Sequence, residues 1–174
     1  MSRYFLDEVY YFITVPTVNH NPFFETEKLK YSLLNQIKTA AELHRIKKID
    51  YGILKNHYHF MGYFKNGKVI PSFLRCINGK SSNDVKKYLG HSVRVWDEYH
   101  VYIASTEQIY ERIRGYIIGN SLKHGEVADL EELLTHPFST FESVVEQHGR
   151  KYSEELVNSV IEMDHEQFFK FLTS

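Results

Sequence analysis

The sequence predicts an α+β fold, with four strands and two helices in the order β-α-β-β-α-β and a third helix behind them. The hydrophobic period alternates between two and 3.6 in that order, and turn or cap residues stand at nearly every switch. Glu8 to Val15 reads as the first strand, because Val9, Tyr11, Ile13 and Val15 share a face and aromatic and β-branched residues dominate. Thr17 to Pro22 is turn-rich. Leu29, Leu33, Ile37 and Ala41 then repeat at every fourth residue through a helix from Thr26 to Arg45. Lys48 to Leu54 and His57 to Phe64 read as strands joined at Lys55-Asn56, and Asn66-Gly67 marks the next turn. Pro71 opens a helix to about Leu89 with Phe73, Ile77, Val85 and Leu89 inward, weakened in its middle by Gly79. Ser92 to Ala104 reads as a long fourth strand. Ser105-Thr106-Glu107-Gln108 has the form of a capping box, with Ser105 as N-cap and Gln108 at N3, and the helix it starts runs to about Lys123 before Gly125. This is the ferredoxin-like split βαβ arrangement, with two helices on one face of the sheet and the other face open for a site.

After Asp129 the chain changes character. Short acidic helices are predicted over Leu130 to Leu134, Thr140 to His148, Ser153 to Met163 and His165 to Leu172. The expected division is a domain over residues 1–128 and an acidic helical extension over 129–174. Residues 1–125 carry 18 Lys and Arg against 11 Asp and Glu, and residues 126–174 carry 3 against 11. A net charge of −1 therefore hides a basic body and an acidic tail. A basic body points to a polyanion partner, although mutual attraction of the two segments accounts for the same split. The lone Cys76 excludes an intramolecular disulfide and a multi-cysteine zinc site. No apolar run approaches the ~18 residues of a membrane span, and Met1 to Glu8 has no secretory h-region, so a reduced, cytoplasmic protein is expected. Phosphate-binding Gly-rich loops, dinucleotide fingerprints, H-E-x-x-H and C-x-x-C are absent, so no nucleotide cofactor is expected.

Two constellations carry chemistry. His57-Tyr58-His59 places two imidazoles on one face of a strand, where they can bind a divalent metal if a third ligand arrives from elsewhere. In a chain with 10 histidines the same tripeptide also fits two half-exposed strand residues. Arg112, Tyr116 and Asn120 follow at i+4 spacing beside the buried stripe Ile109, Ile113 and Ile117, which an ordinary amphipathic helix also explains. Gly115 and Gly119 interrupt that helix at a cost of ~1 kcal/mol each, which fits either room for a close approach by a backbone or a ligand, or neutral drift.

Taken together, these residues resemble the single-tyrosine HUH transposases, the small insertion-sequence enzymes and REP-associated tyrosine transposases. Tyr11-Phe12-Ile13-Thr14 with Asn19 to Phe24 resembles the family's first strand and turn. Ile53-Leu54-Lys55-Asn56-His57-Tyr58-His59-Phe60 is similar to its H-x-H strand pair. Phe73 to Lys87 resembles its basic second helix, and Val95-Trp96 with Tyr99 to Ala104 its fourth strand. Tyr116-Ile117-Ile118-Gly119-Asn120 followed by Lys123-His124-Gly125 resembles its tyrosine segment. The likeness spans roughly residues 8–128. Lys55 stands where proline is usual, Ser121 replaces the proline after Asn120, and Tyr58 is larger than the usual aliphatic.

The resemblance implies a DNA transposase that cuts and rejoins single-stranded or hairpin DNA through a 5′-phosphotyrosine intermediate. It implies Tyr116 as nucleophile, His57, His59 and Asn120 as ligands of Mg²⁺ or Mn²⁺, and Arg112 as an aid to ionisation of the phenol. Arg75, Lys80, Lys86, Lys87 and Lys123 are the candidate DNA contacts, with the protein associated with the nucleoid. A homodimer is compatible with the family, and whether Tyr116 serves its own histidine pair or that of a second copy stays open. The alternative is a domesticated, transposase-derived DNA-binding protein without strand-transfer activity. An RNA-binding domain of the same topology is the weaker rival, since no strand carries the aromatic motif of that class. The acidic tail is expected to lie near the basic body and to weaken non-specific DNA binding, with a packing or dimer element as the alternative.

Overall fold

The computed structural model describes residues 5–173. Its elements are β1 (Val9–Pro16), α1 (Glu27–Leu43), β2 (Lys47–Ile53), β3 (His57–Phe64), α2 (Ile70–Leu89), β4 (His100–Ile103), α3 (Glu107–Ile118), α4 (Asn120–Lys123), α5 (Leu130–Leu134), α6 (Phe141–His148), α7 (Arg150–Ile161) and α8 (His165–Thr173). The strands form one antiparallel sheet in the order β2-β3-β1-β4. No helix among the described residues is long and apolar enough to cross a membrane.

Three local expectations are corrected. The fourth strand is short, and residues 92–99 join the sheet only through an isolated bridge between Thr17 and Trp96. The Trp96 indole N–H donates to Ser81 Oγ on α2 at 3.0 Å and its ring stacks on Phe24 at 4.9 Å, so this segment serves as packing rather than as a strand. The cap of α3 is Thr106, whose hydroxyl accepts from the Ile109 N–H at 3.2 Å, and Ser105 is left in the connection after Ala104. The tyrosine helix also breaks at Gly119 into α3 and α4 instead of running through to Lys123.

One face of the sheet carries Tyr11, Ile13 and Val15 of β1 with Tyr58, Phe60 and Phe64 of β3, packed on Leu33 and Ile37 of α1 and Phe73 and Ile77 of α2. The opposite face is covered rather than open. Phe12 and Met61 pack there against Ile113, Tyr116 and Ile117 of α3, Val160 of α7 and Phe168 of α8. A third cluster ties Ile118 to Val127, Leu133, Phe141, Val144, Leu156 and Val157.

Apolar burial, rather than charge, thus holds the acidic segment. Each fully buried Leu, Val or Phe contributes roughly 1.5–3 kcal/mol, whereas a largely buried ion pair such as Lys30–Glu126 loses much of its attraction to desolvation. Lys30–Glu126 is the ion pair that joins the basic and acidic portions among the described residues, while Arg150 pairs within the tail, with Glu131 and Glu154.

The glycines of α3 explain how α7 fits. A Cβ on Gly115 would lie 2.3 Å from the Leu156 carbonyl oxygen, and one on Gly119 would lie 2.8 Å from Val157 Cγ1. On the other side of α3, a Cβ on Gly52 of β2 would meet the Ile117 carbonyl oxygen at 2.6 Å. The tyrosine helix is wedged between two backbones. Gly115→Ala gains ~1 kcal/mol of helix propensity but is expected to destabilise the fold, because overpacking costs about 1–3 kcal/mol and backbone cannot swing aside. Chemical denaturation of the two proteins checks this, and a more stable alanine variant would refute the wedge.

Candidate active site

The site is built where the first turn of β3 meets the break between α3 and α4. Strand alternation directs His57 and His59 to the α3 face, and the antiparallel register sets Thr14 opposite His59 and Pro16 opposite His57. The break at Gly119 places fully buried Asn120 at the start of α4, one turn beyond Tyr116. The His57 and His59 ring centroids are 4.7 Å apart, and the His59 ring is 5.2 Å from that of Tyr116. His57 Nε2 lies 3.2 Å from Asn120 Oδ1.

Each imidazole is oriented through its other nitrogen. His57 Nδ1 is 2.8 Å from Asn56 Oδ1, and His59 Nδ1 is 2.9 Å from Thr14 Oγ1. Burial holds the His57 pKa down to about 4, aided by His124, and holds that of His59 well below its ordinary value, aided by His57. Both rings are therefore neutral at pH 7, with one N–H each.

That state leaves a mismatch. If Nδ1–H of His57 donates to Asn56, the bare Nε2 lone pair faces the Asn120 carbonyl oxygen. His59 Nε2 and Asn120 Nδ2 are buried with no hydrogen-bond partner. With each ring's proton on Nδ1, two bare imidazole nitrogens and an amide oxygen remain, a donor set that fits a divalent cation. Among the described residues no group of three His, Cys, Asp or Glu is placed to hold a metal, so a cation here would rest on His57, His59 and Asn120.

His57 and His59, with Thr14 and Asn56, line a cavity of about 700 Å³, while Asn120 is fully buried and outside its wall. Six of the ten histidines line it: His20, His57, His59, His100, His124 and His165. The Tyr116 ring is also in its wall yet only 3% exposed, because Phe168 of α8 stacks on it with centroids 3.9 Å apart and planes at 12°. Burial pushes the Tyr116 phenol above its ordinary pKa, and the Asn120 side chain pulls it the other way.

Other sequence candidates lie elsewhere. The Arg112 guanidinium sits 4.2 Å over the Phe171 ring and lines a separate groove with Gln108 and Glu155, so it does not face Tyr116. Lys123 Nζ donates to the carbonyl oxygens of Ile161 and Met163, which makes it a clamp on the end of α7 rather than a free cation for DNA. Arg75 and Lys86 line one shallow groove of about 340 Å³, and Arg94 and Trp96 face them across the exposed backbone of Gly79. Lys80 and Lys87 are exposed on α2 outside that groove.

Sequence reasoning missed Thr14 and Asn56 as orienting residues, and Phe168 as the cover of Tyr116. Thr14 had a signal, being the polar residue on the β1 face that also carries Tyr10 and Phe12. Asn56 had one in its place directly before the histidine pair. Phe168 had none, since nothing local says where a terminal helix docks.

No protein-family profile matches the sequence, and no curated protein matches it. The fold is that of a solved REP-associated tyrosine transposase bound to a REP hairpin, with a TM-score of 0.69, 20% identity and 88% of each chain covered. A Deinococcus radiodurans R1 protein, provisionally assigned as a transposase, has a TM-score of 0.48 at 15% identity, covering 67% of this chain and 93% of that one. The structure is thus transposase-like in fold.

Proposed function

We propose that the protein is a tyrosine transposase of the HUH type, which cleaves and rejoins single-stranded or hairpin DNA through a covalent 5′-phosphotyrosine. The observation that carries this reading is convergence. Tyr116 and the pair His57 and His59 come from separate stretches of sequence and meet in the wall of one cavity, with buried Asn120 against His57, on a ferredoxin-like fold shared with a protein solved on a DNA hairpin.

The chemistry is a transesterification. Tyr116 Oη bonds to phosphorus, the bond to O3′ breaks, the phenol gives up its proton and the departing O3′ takes one. The bond energy stays in the phosphotyrosine, so rejoining a 3′-OH needs no nucleotide cofactor. Bound Mg²⁺ or Mn²⁺ would supply charge to offset that developing on the phosphate oxygens. Thr14 and Asn56 hold the two imidazoles in place, and Asn120 links the metal ligands to the turn of helix bearing Tyr116.

The test is incubation with a hairpin-bearing single strand and Mn²⁺, followed by denaturation. A label 3′ of the cut should remain with the protein, because the 5′ phosphate is captured. Cleavage that leaves no such complex would refute covalent catalysis.

The burial of Tyr116 under Phe168 favours one second reading, a protein that binds DNA without cutting it. Phe168→Ala separates the two. If the enzyme reading holds, removing the stacked ring raises the rate of complex formation. A variant that binds hairpin DNA and still forms no complex supports the binder.

The groove beside α2 is the expected backbone contact. Arg75→Glu and Lys86→Glu should each weaken hairpin binding and reduce the slope of log affinity against log salt by about one. Lys123→Gln should leave that slope unchanged, because its ammonium is spent on α7. Equal slopes for all three variants would remove the groove from the interface.

A further inference from the structure

A second cavity, of about 840 Å³, lies on the same sheet face at the opposite end of α3. Tyr10 of β1, Tyr110 of α3 and Tyr152 of α7 stand in its wall, all half-buried and so still presenting ring surface. The Arg114 guanidinium also lines it, although the residue is only 7% exposed. It is fixed by Asp50 at 3.0 Å and by His148 Nε2 at 3.0 Å. Glu111 is held in place by the Tyr152 hydroxyl at 3.1 Å.

We propose that this cavity is a subsite for an unpaired nucleobase of the DNA strand that the catalytic cavity acts on, an inference that rests on the DNA-processing reading above. The chemistry excludes a phosphate. Lys48 and Arg114 are matched by Glu107 and Glu111 on the wall and by Asp50 behind, so an anion would meet carboxylates. A flat, neutral, hydrogen-bonding ligand fits instead. Tyrosine rings offer stacking faces, the Glu111 carboxylate accepts from ring or exocyclic N–H groups, and Arg114 donates to a carbonyl or ring nitrogen.

The location matches. Tyr10 and Thr14 lie on the same face of β1, four residues and therefore ~13 Å apart, which places the two cavities within reach of one extended strand. The subsite also gives the acidic segment a role of its own. Ser143, Gln147, His148 and Tyr152 from α6 and α7 form its outer wall.

The experiment measures binding of a fluorescent hairpin carrying a short single-stranded extension, with each extension base replaced in turn by an abasic site. On the wild-type protein one position should cost about tenfold in affinity and the others little. Tyr152→Leu should lose a similar factor with the intact extension and show no further loss at that abasic position, while Tyr152→Phe, which keeps the ring but releases Glu111, retains a penalty at that position. A flat abasic profile on a wild-type protein that still forms the covalent complex overturns the subsite alone, and needs no variant to fold. So does a Tyr152→Leu variant that keeps the abasic penalty. A wild-type protein that binds neither the hairpin nor its extension overturns this inference and the function it rests on together.

Discussion

Tyr116→Phe is expected to abolish the denaturation-resistant complex with hairpin DNA and to leave hairpin affinity nearly unchanged. The change removes one oxygen. The ring would keep its stack on Phe168 at 3.9 Å and its edge contact with Phe12 at 6.3 Å, so the fold has little to lose. Without Oη no protein atom in that position can hold the 5′ phosphate, and water is no substitute, because hydrolysis leaves no protein–DNA bond. The expected result is therefore loss of the adduct rather than a slower rate. An adduct that survives would move the nucleophile to another tyrosine. The structure ranks the alternatives, since Tyr102 lines the same cavity and Tyr110 belongs to the second one.

His59→Ala is expected to reduce cleavage by at least the ~10–100-fold typical of losing even a supporting group at a metal site, and excess EDTA should do the same to the wild-type protein. His59 is 1% exposed, and its Nε2 has no protein partner to forfeit. The variant gives up one hydrogen bond to Thr14 and some ring packing, so it should remain folded. His57→Ala should behave alike. Full cleavage in EDTA would overturn the metal, and the Asn120 amide would then have to turn its N–H toward His57 instead.

Acid gives an independent check on the same pair. The folded pKa of His57 lies near 4, below the ordinary 6.5, so between those values the unfolded chain binds a proton that the folded one refuses. The contribution is fully present above pH 6.5 and is lost as pH falls toward 4. Metal-free protein should lose stability through that window, and His57→Ala should flatten the loss.

The sequence revealed the elements whose signals are local. The helix over Glu27–Leu43, the strand over His57–Phe64 and even the short helix Leu130–Leu134 follow from period and caps. Residues 92–99 did not, because Val93, Val95 and Trp96 look like strand residues while their task is to cover α2. The open sheet face was misjudged for a related reason. Val157, Val160 and Phe168 show amphipathic helices, yet no local pattern names the surface on which they close.

At the site, the same division holds. The histidine pair lies within one strand and Tyr116 and Asn120 stand four residues apart across the α3–α4 break, so both are matters of local spacing, and the fold then joins them. Arg112 has equally good spacing to Tyr116, but its side chain is taken by Phe171 of a helix more than fifty residues on. Gly115 and Gly119 left two readings open, close approach or neutral drift, and the Leu156 backbone behind Gly115 and the Val157 side chain behind Gly119 decide for close approach.

The wedging of α3 also sets which sequence changes its lineage can accept. A helix pinned by backbone on both sides cannot drift gradually, because no sequence of small side-chain adjustments makes room for a first methyl group at 52 or 115. Exposed positions that touch neither the core nor the α2 groove carry no such restriction and are free to diverge until little overall identity remains. Descendants of a shared ancestor should therefore keep glycine at these two positions long after the charged surface has been rewritten. A search keyed to them, together with the histidine pair and the tyrosine turn, should recognise kin that whole-chain identity no longer does.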